Sequence, residues 1–175
     1  MKNIKLINIL LFGLPLMFLV HACNKDTFKN ADPGKSSTYP LNGEYWVQLD
    51  SATITGIDTA WAVKATSPGY QKIIISNLAT NKGDSIWVDD QNFFPFKVKS
   101  ACNPALKTFS VTNGLEIYGD SIVTIKNGKL ILGKGITKSG NKTDSIHMHV
   151  HYGADIISLY RLSGVRRTGF QADDY

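Results

Sequence analysis

The sequence has little that would carry covalent chemistry. It holds two cysteines in 175 residues, Cys23 and Cys102, so a disulfide-rich scaffold is excluded. No Gly-x-Ser-x-Gly elbow, His-Glu-x-x-His pair or phosphate-binding loop occurs, which removes the signatures of α/β-hydrolases, zinc peptidases and nucleotide-binding proteins. No cofactor is expected. Charge excess is weak, with 19 Lys and Arg against 14 Asp and Glu, and the basic residues are scattered among strands and turns. Nucleic acid is therefore not an expected partner. Helical amphipathic stretches of useful length are missing. The apolar run at residues 6–19 is too short and too abruptly ended to cross a bilayer.

Lys2 and Lys5 precede that run, and Leu19-Val20-His21-Ala22-Cys23 follows it, with Ala22 as the small residue before a cleavage point. The arrangement resembles a bacterial lipoprotein signal. That resemblance implies loss of residues 1–22 and acylation of Cys23 through its sulfur and amine. It also implies a membrane anchor, with an outer-membrane address on either the periplasmic face or the cell surface. An ordinary secretory signal with a chance cysteine is the alternative. Maturation would remove Lys2 and Lys5 and lower the formal charge of +5 by two. Cys102, in Ser100-Ala101-Cys102-Asn103-Pro104, would then have no disulfide partner, and its strand-end setting suits a small buried thiol better than a nucleophile.

Residues 23–40 read as a lipidated N-terminus and solvated tether, almost free of aliphatic side chains after the cysteine and carrying Asp32-Pro33-Gly34 and Ser36-Ser37. Asn24-Lys25-Asp26 partly resembles the short export signals of surface lipoproteins in Bacteroidetes. Residues 41–175 then form one domain, since a second does not fit the remaining length.

Across this domain apolar residues recur with period two or in short bursts between Gly, Asn, Asp and Pro, the pattern of an all-β protein. Strands are expected at 44–49, 60–66, 72–78, 85–89, 96–100, 107–112, 121–126, 129–133, 145–152 and 156–162. Asn127-Gly128 predicts a two-residue type I′ turn, with Ile125 opposite Leu130 and Val123 opposite Leu132 on an inward face. Eight to ten short antiparallel strands suit either a barrel or a β-sandwich. The opening Gly43-Glu44-Tyr45-Trp46 resembles the calycin, or lipocalin-like, pattern, in which a large ring closes one end of a β-barrel and a late arginine stacks over it. It departs from the usual Gly-x-Trp spacing by one residue, so either Tyr45 or Trp46 takes that part.

Ser163-Gly164-Val165-Arg166-Arg167-Thr168-Gly169-Phe170, followed by Asp173-Asp174-Tyr175, resembles the closing segment of a family of Bacteroidetes lipoproteins known as lipid-binding putative hydrolases. The resemblance implies a calycin-like barrel with an apolar cavity. Period two sends Arg166 and Arg167 to opposite faces, so one of them reaches inward, either to cap the aromatic ring or to meet a ligand carboxylate.

His147-Met148-His149-Val150-His151 is a weak metal candidate, because on a strand its three imidazoles share a face and two can approach one ion. The plainer expectation turns Ile146, Met148 and Val150 to the core and leaves His147, His149 and His151 outside. Aromatic residues are the better sign of binding. Trp46, Trp61 and Trp87 fall in strands, and Asn92-Phe93-Phe94-Pro95-Phe96 gathers Phe93, Phe94 and Phe96 in a connection, as a pocket rim or a barrel plug. Five Asp-Ser/Thr-aliphatic triplets, holding Ser51, Thr59, Ser85, Ser121 and Ser145, resemble the O-glycosylation acceptors of Bacteroidetes, although Asp and Ser also favour the turns that precede strands.

The expected protein is an envelope lipoprotein whose barrel cavity binds a small apolar or amphipathic, lipid-like ligand without turnover. Trp46, Trp61, Trp87, Phe93, Phe94, Phe96 and Arg166 or Arg167 are the expected ligand contacts. The alternative is a surface accessory protein with a filled core that meets a glycan or another protein. A hydrolase comes third, since nothing selects a set such as Ser158, Asp155 and one histidine over any other.

Overall fold

The computed structural model describes residues 35–55, 58–65, 69–91, 96–119, 121–153 and 158–175, with the backbone alone described at 52–55, 58–65 and 158. Nine antiparallel strands follow one another: β1 (Gly43–Thr55), β2 (Asp58–Ala65), β3 (Gln71–Asn77), β4 (Ser85–Asp89), β5 (Lys97–Asn103), β6 (Thr108–Leu115), β7 (Ile122–Ile136), β8 (Lys142–Tyr152) and β9 (Ser158–Arg166). Sequential hairpins link β3 through β9. β1 closes the sheet by pairing on one side with β9, from Tyr45↔Arg166 to Thr53↔Ser158, and on the other with β3, from Gly43↔Ile75 to Val47↔Gln71. The product is a closed eight-stranded barrel. β2 is the ninth strand, carried on the half of β1 that extends past β3, from Asp50↔Ala65 to Thr55↔Asp58.

Alternation decides which side chains enter the barrel. Ile73 and Ile75 of β3, Ile86 and Val88 of β4, and Ile146, Met148 and Val150 of β8 are all buried, while their neighbours along each strand are half-buried except Asp89, which is buried at the end of β4. Together with Tyr45, Phe96, Phe109, Ile125 and Leu162 they belong to one continuous apolar cluster. Full burial of an aliphatic or aromatic side chain of this size stabilises the fold by about 1.5–3 kcal/mol. The cluster therefore dominates the energetics.

Order begins ahead of Leu41. Leu41 N donates to Thr38 O at 2.8 Å, Ser37 Oγ donates to Asn81 O at 2.6 Å, and Thr38 and Leu41 are both fully buried. Residues 36–41 thus form a plug of turns against the β3–β4 connection rather than tether.

Asn127-Gly128 does not make the expected hairpin turn. β7 runs through it without reversing, and Lys126↔His149 is followed by Lys129↔His147, so three steps on β7 meet two on β8. The extra residue is a β-bulge. Asn127 takes the left-handed conformation at φ 55°, which the type I′ turn also requires, so the same dipeptide serves either purpose. Gly128 is there for space: a Cβ on it would lie 2.4 Å from the carbonyl oxygen of Phe109. Val123, Ile125 and Leu130 face inward as expected, but a second irregularity between Ile131 and Gly135 turns Leu132 out to 54% exposure.

Candidate functional site

At the end of the barrel where β1 starts and β9 finishes, Tyr45 is completely buried and its hydroxyl donates to Leu41 O at 2.6 Å. Arg166 pairs across the seam with Tyr45 and stands over its ring at 5.4 Å from guanidinium carbon to centroid. Its Nη2 donates to Tyr45 Oη (2.9 Å), Pro40 O (2.9 Å) and Asn42 O (3.2 Å), and its Nη1 meets Asp144 at 3.1 Å. Burial raises the Tyr45 pKa more than the neighbouring guanidinium lowers it, which keeps the phenol protonated as a donor. β9 comes this close to β1 because of Gly164, where a Cβ would stand 1.9 Å from Trp46 O.

Arg167 points to the outer face of the same end, between Glu44 (2.9 Å) and Asp174 (2.6 and 2.7 Å). Hydrogen bonds from Arg167 hold the Asp174 carboxyl below its ordinary pKa. Trp46 Nε1 donates to Asp174 at 3.3 Å, and Tyr175 stacks on Tyr70 with centroids 3.7 Å apart while presenting an edge to Trp46 at 6.0 Å. Asp173, buried just before, accepts from Thr168 Oγ1 at 2.6 Å and from the amide and hydroxyl of Ser139 in the β7–β8 turn. These donors, led by the Ser139 hydroxyl, depress its pKa strongly.

The opposite end is organised by carboxylates under an apolar rim. Glu116, 1% exposed, accepts from the amides of Tyr118 (2.6 Å), Gly119 (2.6 Å) and Ser121 (3.3 Å). Asp90 accepts from Phe96 N at 3.0 Å, and Asp89 accepts from the Tyr118 hydroxyl at 3.0 Å and pairs with Lys97 at 3.1 Å. With the polar groups turned inward, Leu115, Ile117, Tyr118 and Ile122 are left in solvent at 63%, 55%, 49% and 39% exposure. Phe96 is fully buried as part of the core, whereas Phe93 and Phe94 lie outside the described residues.

The histidines occupy the outer wall. His147, His149 and His151 alternate with the buried Ile146, Met148 and Val150, and the rings of His147 and His149 meet edge to face at 4.8 Å. Partial burial lowers the pKa of all three, and Arg161 adds to the effect at His147 and His149. Among the described residues no group of three or more metal-ligating side chains converges. Trp87 is half-buried on the outer face of β4, opposite Ser76 and Lys99, and Trp61 belongs to β2, whose side chains are not described.

A cavity of about 600 Å³ opens on the wall between β5, β6, β7 and β8. One cross-strand row forms its floor: Asn103↔Thr108, Thr108↔Lys129 and Lys129↔His147 are successive register partners. Ala101, Ser110 and Ile131 continue the lining, and Cys102, Phe109 and Gly128 reach it at the bulge. Cys102 is half-buried, and burial followed by the charge of Asp84 raises its thiol pKa, which opposes a nucleophilic role. Sequence reasoning passed over this groove because its concavity depends on the bulge that Asn127-Gly128 makes in place of a turn.

Among the described residues, two of the five Asp-Ser/Thr triplets use the acid structurally. Arg161 grips Asp50 Oδ2 through Nε (3.0 Å) and Nη2 (2.6 Å), and Asp144 holds Arg166. Ser51 lies on β1, Ser85 opens β4, Ser121 precedes β7 and Ser145 lies on β8; Thr59 lies in the backbone-only part of β2.

These features define a closed antiparallel β-barrel with one end locked by an arginine–tyrosine pair and a groove in its wall. Residues 30–171 match the family of lipid-binding putative hydrolases, and the chain belongs to that family. No curated protein matches it. Cys23 lies outside the described residues.

Proposed function

We propose that the protein is a bacterial envelope lipoprotein, anchored through an acylated Cys23, that binds a small amphipathic, lipid-like ligand without chemical turnover. The observation that carries this reading is membership of a lipid-binding family on a closed barrel. The leader and Cys23 support the anchor, and the Bacteroidetes-like tail and export segment support an outer-membrane address. All eight barrel strands contribute buried side chains to one apolar cluster, and a ligand in the lumen would lie among them. Extra atoms forced among them would cost about 1–3 kcal/mol for each well-packed position disturbed.

The exposed rim favours a second reading, in which Leu115, Ile117, Tyr118 and Ile122 meet a glycan or a protein partner. Native mass spectrometry of the full-length protein extracted from its own membranes distinguishes the two. A retained lipid beyond the acyl groups of Cys23 is the expected result. Protein that carries only its own acyl groups, or none, would count against the lipid-binding reading.

A further inference from the structure

Building on the lipid-binding reading, we infer that the wall groove of β5–β8 holds a single-chain anionic amphiphile, taken up as a monomer, with its hydrocarbon along Ile131 and Ala101 and its acid head at Lys129. The groove volume, about 600 Å³, falls in the range of small-ligand sites, roughly 300–1,000 Å³. Its lining combines the exposed carbon surface of Ala101 and Ile131, with Phe109 buried beneath, and a few polar groups, which is the composition of a site that recognises one apolar body and one polar end. Among the described residues no carboxylate lines it and Lys129 is its one lysine or arginine, so the charge complementarity is toward an anion. Ile131, an aliphatic residue on the outer face of β7 that solvent reaches to 38%, is the side chain that a bound chain would cover. On the other side of the same wall Ile125, Leu130 and Ile146 are buried in the core, whereas the groove opens to solvent.

Cys102 reports on this site without being part of the recognition, because it lines the groove and its peptide can be followed on its own. Full-length protein is incubated with sodium laurate below its micelle range, with dodecanol, with dodecylamine or with phosphatidylcholine vesicles. Alkylation of Cys102 by iodoacetamide is then followed by mass spectrometry of its peptide. Amide shifts on laurate addition give a second readout that does not depend on the thiol. Laurate at ten times its dissociation constant is expected to slow alkylation about tenfold, and its amide shifts should centre on Ala101, Ser110, Lys129 and Ile131. Ile131→Asp, at an exposed position that should leave folding intact, is expected to abolish the protection. Lys129→Glu should weaken laurate about threefold and leave dodecanol unchanged.

Unprotected Cys102 with amide shifts elsewhere would overturn the groove assignment. Undiminished laurate binding in both variants would do the same, and so would protection by vesicles but not by laurate. Lipid retained in the native protein together with any of those results sinks the groove and spares the lipid-binding reading. Neither retained lipid nor laurate binding sinks both.

Discussion

The two ends of this barrel are built on opposite plans. Where β9 finishes, charged and aromatic side chains are consumed in contacts with one another: Arg166 on Tyr45 and Asp144, Arg167 on Glu44 and Asp174, and Tyr175 on Tyr70. Where β6 turns into β7, the carboxylates face the protein and the hydrocarbon faces water. The first arrangement fixes the register between the first and last strands, because each contact is directional and the Arg166 and Arg167 terminal nitrogens meet their acceptors in one alignment. The second fixes only the loop. Polar groups lock the end where β9 finishes, even though Ile136 and Phe170 there are exposed to 57% and 68%, and no such lock spans the apolar rim among the described residues of the other end.

Gly164→Val strikes the locked seam hardest. The new side chain would overlap the β1 backbone, so the seam cannot close, and loss of more than about 4 kcal/mol should leave the protein insoluble or molten by near-ultraviolet circular dichroism. Next in size is Tyr45→Ala, which empties a fully buried ring site and strips Arg166 of an acceptor. A lower urea midpoint at unchanged slope, equivalent to about 3–5 kcal/mol, is expected. If either substitution proved mild, the contrast between the ends would have to be abandoned.

The double change Leu115→Ser and Ile117→Ser at the other end should shift stability by no more than about 0.5 kcal/mol per site, as measured by thermal melting. A large loss there would show that the rim is packed against something.

Acidification separates the two ends from the wall. The three histidines of β8 have folded pKa values lowered below the ordinary 6.5, so the stability linked to their neutral form is complete above that value and fades as pH falls through the folded values. His147→Gln should therefore flatten the loss of stability from about pH 7 to pH 5. Asp173 and Asp174 are depressed as well, and their contribution is present above the ordinary carboxylate range and lost only below it. Their unlatching should appear as a later, separate change in the environment of Trp46, read by fluorescence below about pH 4. A single transition common to both probes would contradict this order.

Much of the fold was legible from period two, because burial on one side of a strand is a local property of the sequence. β4 has the expected bounds, and the inward set of β8 follows from its alternation alone. The joining of two expected strands into β7 was not legible. Asn-Gly provides the same left-handed backbone for a turn and for a bulge, and the choice between them is made by partners far along the chain. The burial of Leu132 failed for a related reason, since each extra residue in β7 re-aims everything after it. The tail motif was readable as one arginine in and one out, but the ion pairs of Asp50 with Arg161 and Asp144 with Arg166 depend on β8 and β9 lying where only the closed barrel puts them. The groove is the same kind of object: none of its strands contains it.

Tyr45 and Arg166 are 121 positions apart, and the ladder between β1 and β9 is what turns an open sheet into a ring. Closure of so long a loop comes late and slowly in folding, since its entropic cost falls due before any of its contacts form. The opening strand must wait, half-paired, until the final one has been delivered. A nascent or nicked chain that ends before Ser158 would expose the edge of β1 to whatever strand reaches it first, which makes an intact β9 the safeguard against misassembly.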